Sequence, residues 1–156
     1  MLKAYKYRLY PNKQQIEQIQ KTFGCCRFVY NQCLIDLNNY CNRELKKKYE
    51  WLREVDKWSL TNSIYNMDSA YQKFFNEHTG YPKFKSKRDN KKSYNTNCNY
   101  TGKPTIEVSF EKNKIKLPKL KWVKAKIHRE FIGKIKSATI SQNPSGKYFV
   151  SVLVET

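Results

Sequence analysis

Tyr81-Pro82-Lys83-Phe84-Lys85-Ser86-Lys87-Arg88-Asp89-Asn90-Lys91-Lys92-Ser93-Tyr94 divides a half of the chain patterned like helices from a half patterned like strands. Before it, apolar residues recur every three or four positions; after it they alternate, and that change of period predicts an α+β fold. The stretch sets Lys83, Lys85, Lys87, Arg88, Lys91 and Lys92 against a single acid, Asp89, with Tyr81, Phe84 and Tyr94 among them. Cations neutralise phosphates and aromatic faces stack on unpaired bases, so this composition suits a polyanion. It also suits a solvated basic loop, and the window alone leaves both readings open.

The whole chain narrows the choice. Its 156 residues fit one compact domain or two small lobes sharing an interface, and 39% hydrophobic with 15% aromatic residues argues against disorder. With 31 Lys+Arg against 13 Asp+Glu the formal charge is +18, far beyond what solubility requires, which makes a nucleic acid the leading partner class and an acidic membrane the weaker one. No apolar run approaches the roughly 18 residues of a membrane span, and Met1-Leu2-Lys3-Ala4-Tyr5-Lys6 has no apolar signal-peptide core. Five cysteines without a C-x-x-C pair fit a reducing compartment, so the expected location is the cytoplasm, with no membrane partner.

Upstream of the basic stretch, Tyr5, Tyr7 and Leu9 alternate with Lys6 and Arg8 in a half-buried strand over Lys3 to Leu9, ended by Tyr10-Pro11. Asn12 followed by Gln15 is the signature of a reciprocal helix cap, and Ile16, Ile19 and Phe23 carry a short helix to Gly24, the expected stop. A second stripe runs through Cys26, Tyr30, Cys33, Leu34, Leu37 and Cys41, which reads the thiols as small core residues. After the polar break at Lys46-Lys47-Lys48, Asp56 caps a third helix with the stripe Leu60, Ile64, Met67, Tyr71, Phe74 and Phe75, closed by the punctuation His78-Thr79-Gly80-Tyr81-Pro82.

Downstream, strands are expected at residues 106–110, 115–118, 122–127, 134–141 and 148–154, the last two joined by the hairpin loop Asn143-Pro144-Ser145-Gly146. With the early strand they suggest a small antiparallel barrel closed by Lys3 to Leu9, the helices being inserted between its first and second strands.

The residues assemble no reaction centre. The acids are scattered, so no carboxylate cluster for two metals can be built from them. His78 and His128 stand apart, with no Cys-His spacing of a structural zinc site, and five single glycines form no phosphate loop. The twelve tyrosines lack the Arg-His-Arg context of a tyrosine recombinase.

Five ordered strings, Lys6-Tyr7-Arg8-Leu9-Tyr10-Pro11, Phe23-Gly24-Cys25-Cys26-Arg27-Phe28-Val29-Tyr30-Asn31, Gly80-Tyr81-Pro82-Lys83-Phe84-Lys85-Ser86-Lys87, Ile115-Lys116-Leu117-Pro118-Lys119-Leu120 and Ser145-Gly146-Lys147-Tyr148-Phe149-Val150-Ser151-Val152, resemble the N-terminal half of the TnpB (OrfB) proteins of bacterial insertion sequences. The resemblance covers nearly the entire chain. It implies an RNA-guided DNA endonuclease, a transposon relative of the type V CRISPR effectors. Its N-terminal half is a wedge-type β-barrel interrupted by a helical recognition lobe, described as a helix-turn-helix. On that pattern residues 1–10 and 99–156 are the wedge and residues 11–98 the inserted lobe with its basic linker. The family's RuvC-like centre and zinc ribbon begin just after the strand ending at Thr156, so the expectation is a binding half without cleavage activity, catalytic residues, metal or cofactor.

The resemblance also implies site residues. Val55-Asp56-Lys57-Trp58-Ser59-Leu60-Thr61-Asn62-Ser63 resembles the segment that enters the DNA duplex flanking the target. Lys57 stands at its reading lysine and Thr61, where a relative has Gln, one turn on, a spacing that suits major-groove edges. Asn99 and Tyr100 align with a second group on the same duplex, although Tyr100 replaces a short polar residue, and the stretch from Cys41 to Tyr49 is shorter than in relatives. Guide RNA is the other expected partner. Lys3, Lys6 and Arg8 on the first strand, Lys83, Lys85, Lys87 and Arg88 in the basic stretch, and Lys116, Lys119, Lys121, Lys124 and Lys126 on later strands are its expected phosphate contacts. Alternatives are half of a split nuclease completed by a separate RuvC-like chain, a stand-alone DNA-binding regulator using Lys57 and Thr61, and a functionless remnant.

Overall fold

The computed structural model describes residues 1–35, 42–89 and 92–156, so Leu37, Cys41 and Lys91 of the sequence reading lie outside the described residues. In chain order the elements are β1 (Leu2–Tyr10), α1 (Lys13–Ile35), α2 (Asn42–Lys48), a 3-10 turn (Glu50–Glu54), α3 (Lys57–Glu77), β2 (Lys92–Asn97), β3 (Glu107–Ser109), β4 (Lys114–Leu117), β5 (Lys121–Lys126), β6 (Lys134–Gln142) and β7 (Tyr148–Glu155). The α+β architecture with helices between the first strand and the rest is the expected one.

α1 begins as the sequence predicts. Asn12 N donates to Gln15 Oε1 at 2.9 Å and Gln15 N donates to Asn12 Oδ1 at 2.8 Å, the two halves of a capping box. The expected stop at Gly24 is overturned, because α1 runs through it as one 23-residue helix. The reason is phase: Ile16, Ile19, Phe23, Cys26, Tyr30 and Cys33 continue one stripe at spacings of three and four. Burying that stripe outweighs the roughly 1 kcal/mol that an interior glycine costs. Burial pushes the Cys25 and Cys33 thiols up to about 11 and Cys26 up to about 12, the state of inert core sulfurs.

α3 is capped at Asp56, whose carboxylate accepts from Trp58 N at 3.4 Å and from the Thr96 hydroxyl of β2, tying the helix start to the sheet. At its other end the left-handed residue is His78 (φ 54°), and Gly80 stands clear in open space. Leu60, Ile64 and Met67 enter the core, whereas Phe75 is exposed and gathers with Tyr71, Phe74 and Tyr81 at ring separations of 5.0–6.3 Å.

The seven strands form one antiparallel sheet in the order β2-β6-β7-β1-β5-β4-β3. β1 lies in its middle, antiparallel to β7 from Leu2↔Glu155 to Leu9↔Tyr148 and to β5 from Arg8↔Lys126 to Tyr10↔Lys124. The expected closure of a barrel by Lys3 to Leu9 is overturned: β1 is the central strand, and between the end strands β2 and β3 no ladder is found among the described residues, so the sheet is open in hydrogen-bonding order. β2 was not expected: Lys92-Ser93-Tyr94-Asn95-Thr96-Asn97 is polar and rich in turn-forming residues, yet Tyr94 and Thr96 alternate into the core against Ile140 and Ala138. α1 and α3 pack on one another and on β2, closing one core that joins Phe23, Tyr94, Tyr5, Tyr7 and Val150.

Candidate nucleic-acid interface

Because directly opposed residues on paired strands share a side of the sheet, the register decides which cations can act together. Tyr5, Tyr7, Leu9, Val123 and Ala125 face the core. On the opposite side, Lys6 and Arg8 of β1, Lys124 and Lys126 of β5 and Lys114 and Lys116 of β4 lie in a row. Arg8 is opposite both Lys126 and Phe149, and Lys124 is opposite both Tyr10 and Lys114. Aromatic rings interleave with the cations: Lys6 Nζ is 4.9 Å from the Phe149 centroid, Arg8 Cζ is 4.9 Å from that of Tyr10, and Trp122 stands opposite Lys116. One member is neutralised, since Lys116 pairs with Glu107 at 3.0 Å. The remaining cations have no acid opposite them in the ladder, a field suited to a phosphate backbone.

The other sequence-predicted cations are dispersed. Lys3 shares a side with Tyr5 rather than with Lys6 and Arg8, at the exposed strand end, 5.6 Å from the Tyr5 ring. Lys119 lies in the β4–β5 turn and Lys121 opens β5, at φ 67° and 60°. Lys114, Tyr10, Trp122 and Phe149 join the row although the sequence reading did not select them; cross-strand register is what reveals them.

The basic stretch is a folded strap. The Asn31 side chain donates to Lys85 O at 2.9 Å and accepts from Lys85 N at 2.8 Å, pinning the segment to α1. Ser86 and Asp89 close a turn by Ser86 N to Asp89 Oδ2 at 2.9 Å and Asp89 N to Ser86 O at 3.0 Å. Lys83, Lys87 and Arg88 are exposed around it. Lys85 is exposed as a residue, but its ammonium lies 4.3 Å from the Tyr30 centroid and local desolvation lowers its pKa from the usual lysine range. Of the three aromatics that open the sequence reading, Tyr94 is buried, and burial raises its phenol pKa strongly.

A second surface surrounds the start of α3. Lys57 is exposed at the first helical position and Thr61 half-buried one turn later. Trp58, Asn99, Tyr100, Lys134 and Lys136 line an open cavity of about 620 Å³. The fold thus brings Asn99 and Tyr100 to the helix start although some forty residues separate them in sequence. Their polar ends are partly engaged: Asn99 Oδ1 accepts from Thr101 N at 2.9 Å, and the Tyr100 hydroxyl donates to Ile135 O at 2.6 Å. Burial pushes the Tyr100 phenol up to about 12, and Lys134 Nζ lies 4.6 Å from its ring centroid. Trp58 Nε1 is buried without an acceptor among the described residues. Lys46 and Arg53 extend the surface: burial, then repulsion from Arg53 and Lys57, lowers the Lys46 pKa, partly offset by Asp56. Among the described residues no helix is long and apolar enough to cross a membrane.

The helix-turn-helix domain of the OrfB IS605 family matches residues 1–46, that is β1, α1 and the start of α2. InsQ of Escherichia coli (strain K12), provisionally named an RNA-guided DNA endonuclease, is 29% identical over 174 residues, covering 99% of this chain and 41% of the relative. A Streptomyces pristinaespiralis protein with the same provisional activity name is 26% identical, covering 98% of this chain and again 41% of the relative. Virulence protein VsdF of Salmonella dublin is 31% identical over 113 residues, 56% of this chain and 95% of that protein. The chain therefore spans about two fifths of the length of the two nuclease-named relatives.

Proposed function

Because the chain belongs to the OrfB/TnpB-type insertion-sequence family, whose N-terminal half it resembles, we propose that it is a nucleic-acid-binding module of a transposon-encoded protein. It holds structured guide RNA on the outer face of its sheet and the DNA duplex flanking the target at the start of α3. The observation that carries this reading is the aligned row Lys6, Arg8, Lys126, Lys124 and Lys114, interleaved with Tyr10 and Phe149 and opposed by no acid. Phosphate contacts of this kind position a nucleic acid without reading it. Reading falls to the helix start, where Lys57 and Thr61 share one face and the Asn99–Tyr100 loop stands beside Trp58. The row and the helix start occupy different elements, so they divide the work between two ligands.

The test is filter binding to transposon-end RNA across a salt series, for the native chain and a Lys124→Glu/Lys126→Glu variant. The double variant should weaken RNA binding at least about tenfold and make the salt dependence shallower, since each lost phosphate contact removes roughly 0.7–0.9 from the logarithmic slope. Lys57→Ala should spare RNA affinity and reduce discrimination between flanking duplexes. Affinity for transposon-end RNA no greater than for an unrelated hairpin of equal length would sink the guide-RNA reading.

A further inference from the structure

Beneath the strap, a cleft of about 530 Å³ opens between α1, α3 and β2, separate from the sheet row and from the cavity at the start of α3. Its floor is apolar and aromatic: Phe23 and Tyr94 meet edge to face at 5.7 Å and both are core residues. One amide side chain stands at it, Asn66 of α3; Asn95 of β2 also borders it, but strand alternation sends its side chain to the side opposite Tyr94. On that far side Asn95 Nδ2 donates to Thr139 Oγ1 at 3.1 Å. Three cations, Arg27, Lys85 and Lys92, stand against one carboxylate, Asp89. Asp89 is itself committed to the Ser86 amide, which leaves the lining with an excess of positive charge.

Arg27 is the informative member. It is half-buried in α1, one turn after Gly24, and its guanidinium has neither hydrogen bond nor ion pair among the described residues. A Cβ on Gly24 would sit 3.6 Å from its Nη2, so the side chain lies back along the helix over the glycine. A planar cation held against a helix, beside a polar cleft and without a partner among the described residues, is a ready donor for an anion. Lys85 cannot swing freely to replace it, because Asn31 fixes its backbone and its ammonium rests on Tyr30.

Size and chemistry agree on one class of ligand. Clefts of roughly 300–1,000 Å³ with an apolar body and a few placed polar groups accept small molecules. An aromatic floor, an amide able to pair with a base edge and a surplus of cations together describe a base joined to a phosphate. We infer that the cleft holds one nucleotide, its base against Phe23 and Tyr94, its edge at Asn66, and its phosphate at Arg27 and Lys92. The nucleotide is either free in solution or an unpaired residue of a bound strand. The inference goes beyond the sheet-face reading and stands apart from it, since none of the row's cations lines the cleft.

The experiment titrates the full chain with AMP, UMP and inorganic phosphate by calorimetry. In parallel it follows the fluorescence of an unstructured RNA oligonucleotide carrying one 2-aminopurine. Nucleotide binding at least tenfold tighter than phosphate, weakened tenfold or more by Arg27→Ala and by Asn66→Ala, is the expected result for a free ligand. A 2-aminopurine signal that both variants abolish identifies a strand residue instead and equally supports the site. Lys124→Glu/Lys126→Glu should leave mononucleotide binding intact, which keeps failure of the sheet-face reading distinct from failure here. Two results would overturn the inference: nucleotides binding no better than phosphate with no 2-aminopurine response, or binding that Arg27→Ala and Asn66→Ala leave unchanged while their thermal melts stay native.

Discussion

Gly24→Ala distinguishes one long α1 from two short helices by the sign of its effect. If Gly24 ended a helix in a left-handed conformation, alanine would be strained there and the protein would lose stability. In the interior of α1 the same change removes backbone freedom from the unfolded chain, a gain of about 0.5–1 kcal/mol. Nothing in the surroundings cancels that gain, because the added methyl meets only the movable Arg27 Nη2, at the ordinary contact distance of 3.6 Å. For a chain of this size the melting temperature should rise by about 1–4 °C. With a urea m-value of roughly 1–3 kcal/mol/M, the midpoint should rise by about 0.2–1 M. Urea unfolding followed by circular dichroism, with an unchanged m-value, measures it. A loss of about 0.5 kcal/mol or more would refute the continuous helix and the account of why its stripe overrides the glycine.

Gly133→Ala should act in the opposite direction, losing more than about 1 kcal/mol in the same urea assay. Gly133 has φ 150°, and a Cβ there would come within 2.6 Å of both Glu155 O and Val154 Cγ1; a neutral result would show that this close approach is wrongly placed. Asp56→Ala strips the α3 cap and leaves the buried Thr96 hydroxyl without its acceptor, for an expected loss of about 2–4 kcal/mol, with Asp56→Asn losing about half as much. Equal losses for both would show that the cap geometry is immaterial. Cys25, Cys26 and Cys33, with thiols raised to about 11, 12 and 11, should resist alkylation at neutral pH while the less buried Cys98 reacts before any of the three, as read peptide by peptide. Since these folded values exceed the unfolded thiol value of about 8.5, the stability they contribute is present below that pH and lost as pH rises toward 11–12. A urea midpoint that stays flat over that range would contradict it.

Local signals in the sequence were reliable where the structure they specify is local. Asn12 with Gln15 and Asp56 mark helix starts because each cap closes within a few residues. Alternation placed β1 and β4 to β7 because each buries one face, and β3 because Val108 packs half-buried against the core. Gly24 misled because its local preference opposed a stripe whose benefit comes from distant partners such as Tyr94. β2 escaped notice for the same reason: its polar residues form a strand only because β6 offers a ladder and α3 covers Tyr94 and Thr96. The candidate interface follows this division. Composition showed that the chain carries excess positive charge, but only the register shows that Lys6 and Arg8 share a side of the sheet with Lys124 and Lys126 while Lys3 faces the other way. The meeting of Asn99 and Tyr100 with Trp58, likewise, is a property of the fold and not of either segment.

The central place of β1 has a consequence for how the molecule is made. Its two neighbours are β5 and β7, so every rung of its ladders joins residues more than a hundred positions apart, up to Leu2↔Glu155. During synthesis the first strand emerges with both edges unpaired and must wait for almost the whole chain before either is satisfied. α1 and α3 can gather their stripes meanwhile, but the sheet cannot close its centre. Ladders of such long range form slowly, and unpaired strand edges invite pairing with other chains, so nascent or truncated molecules should be far more prone to aggregate than the finished fold.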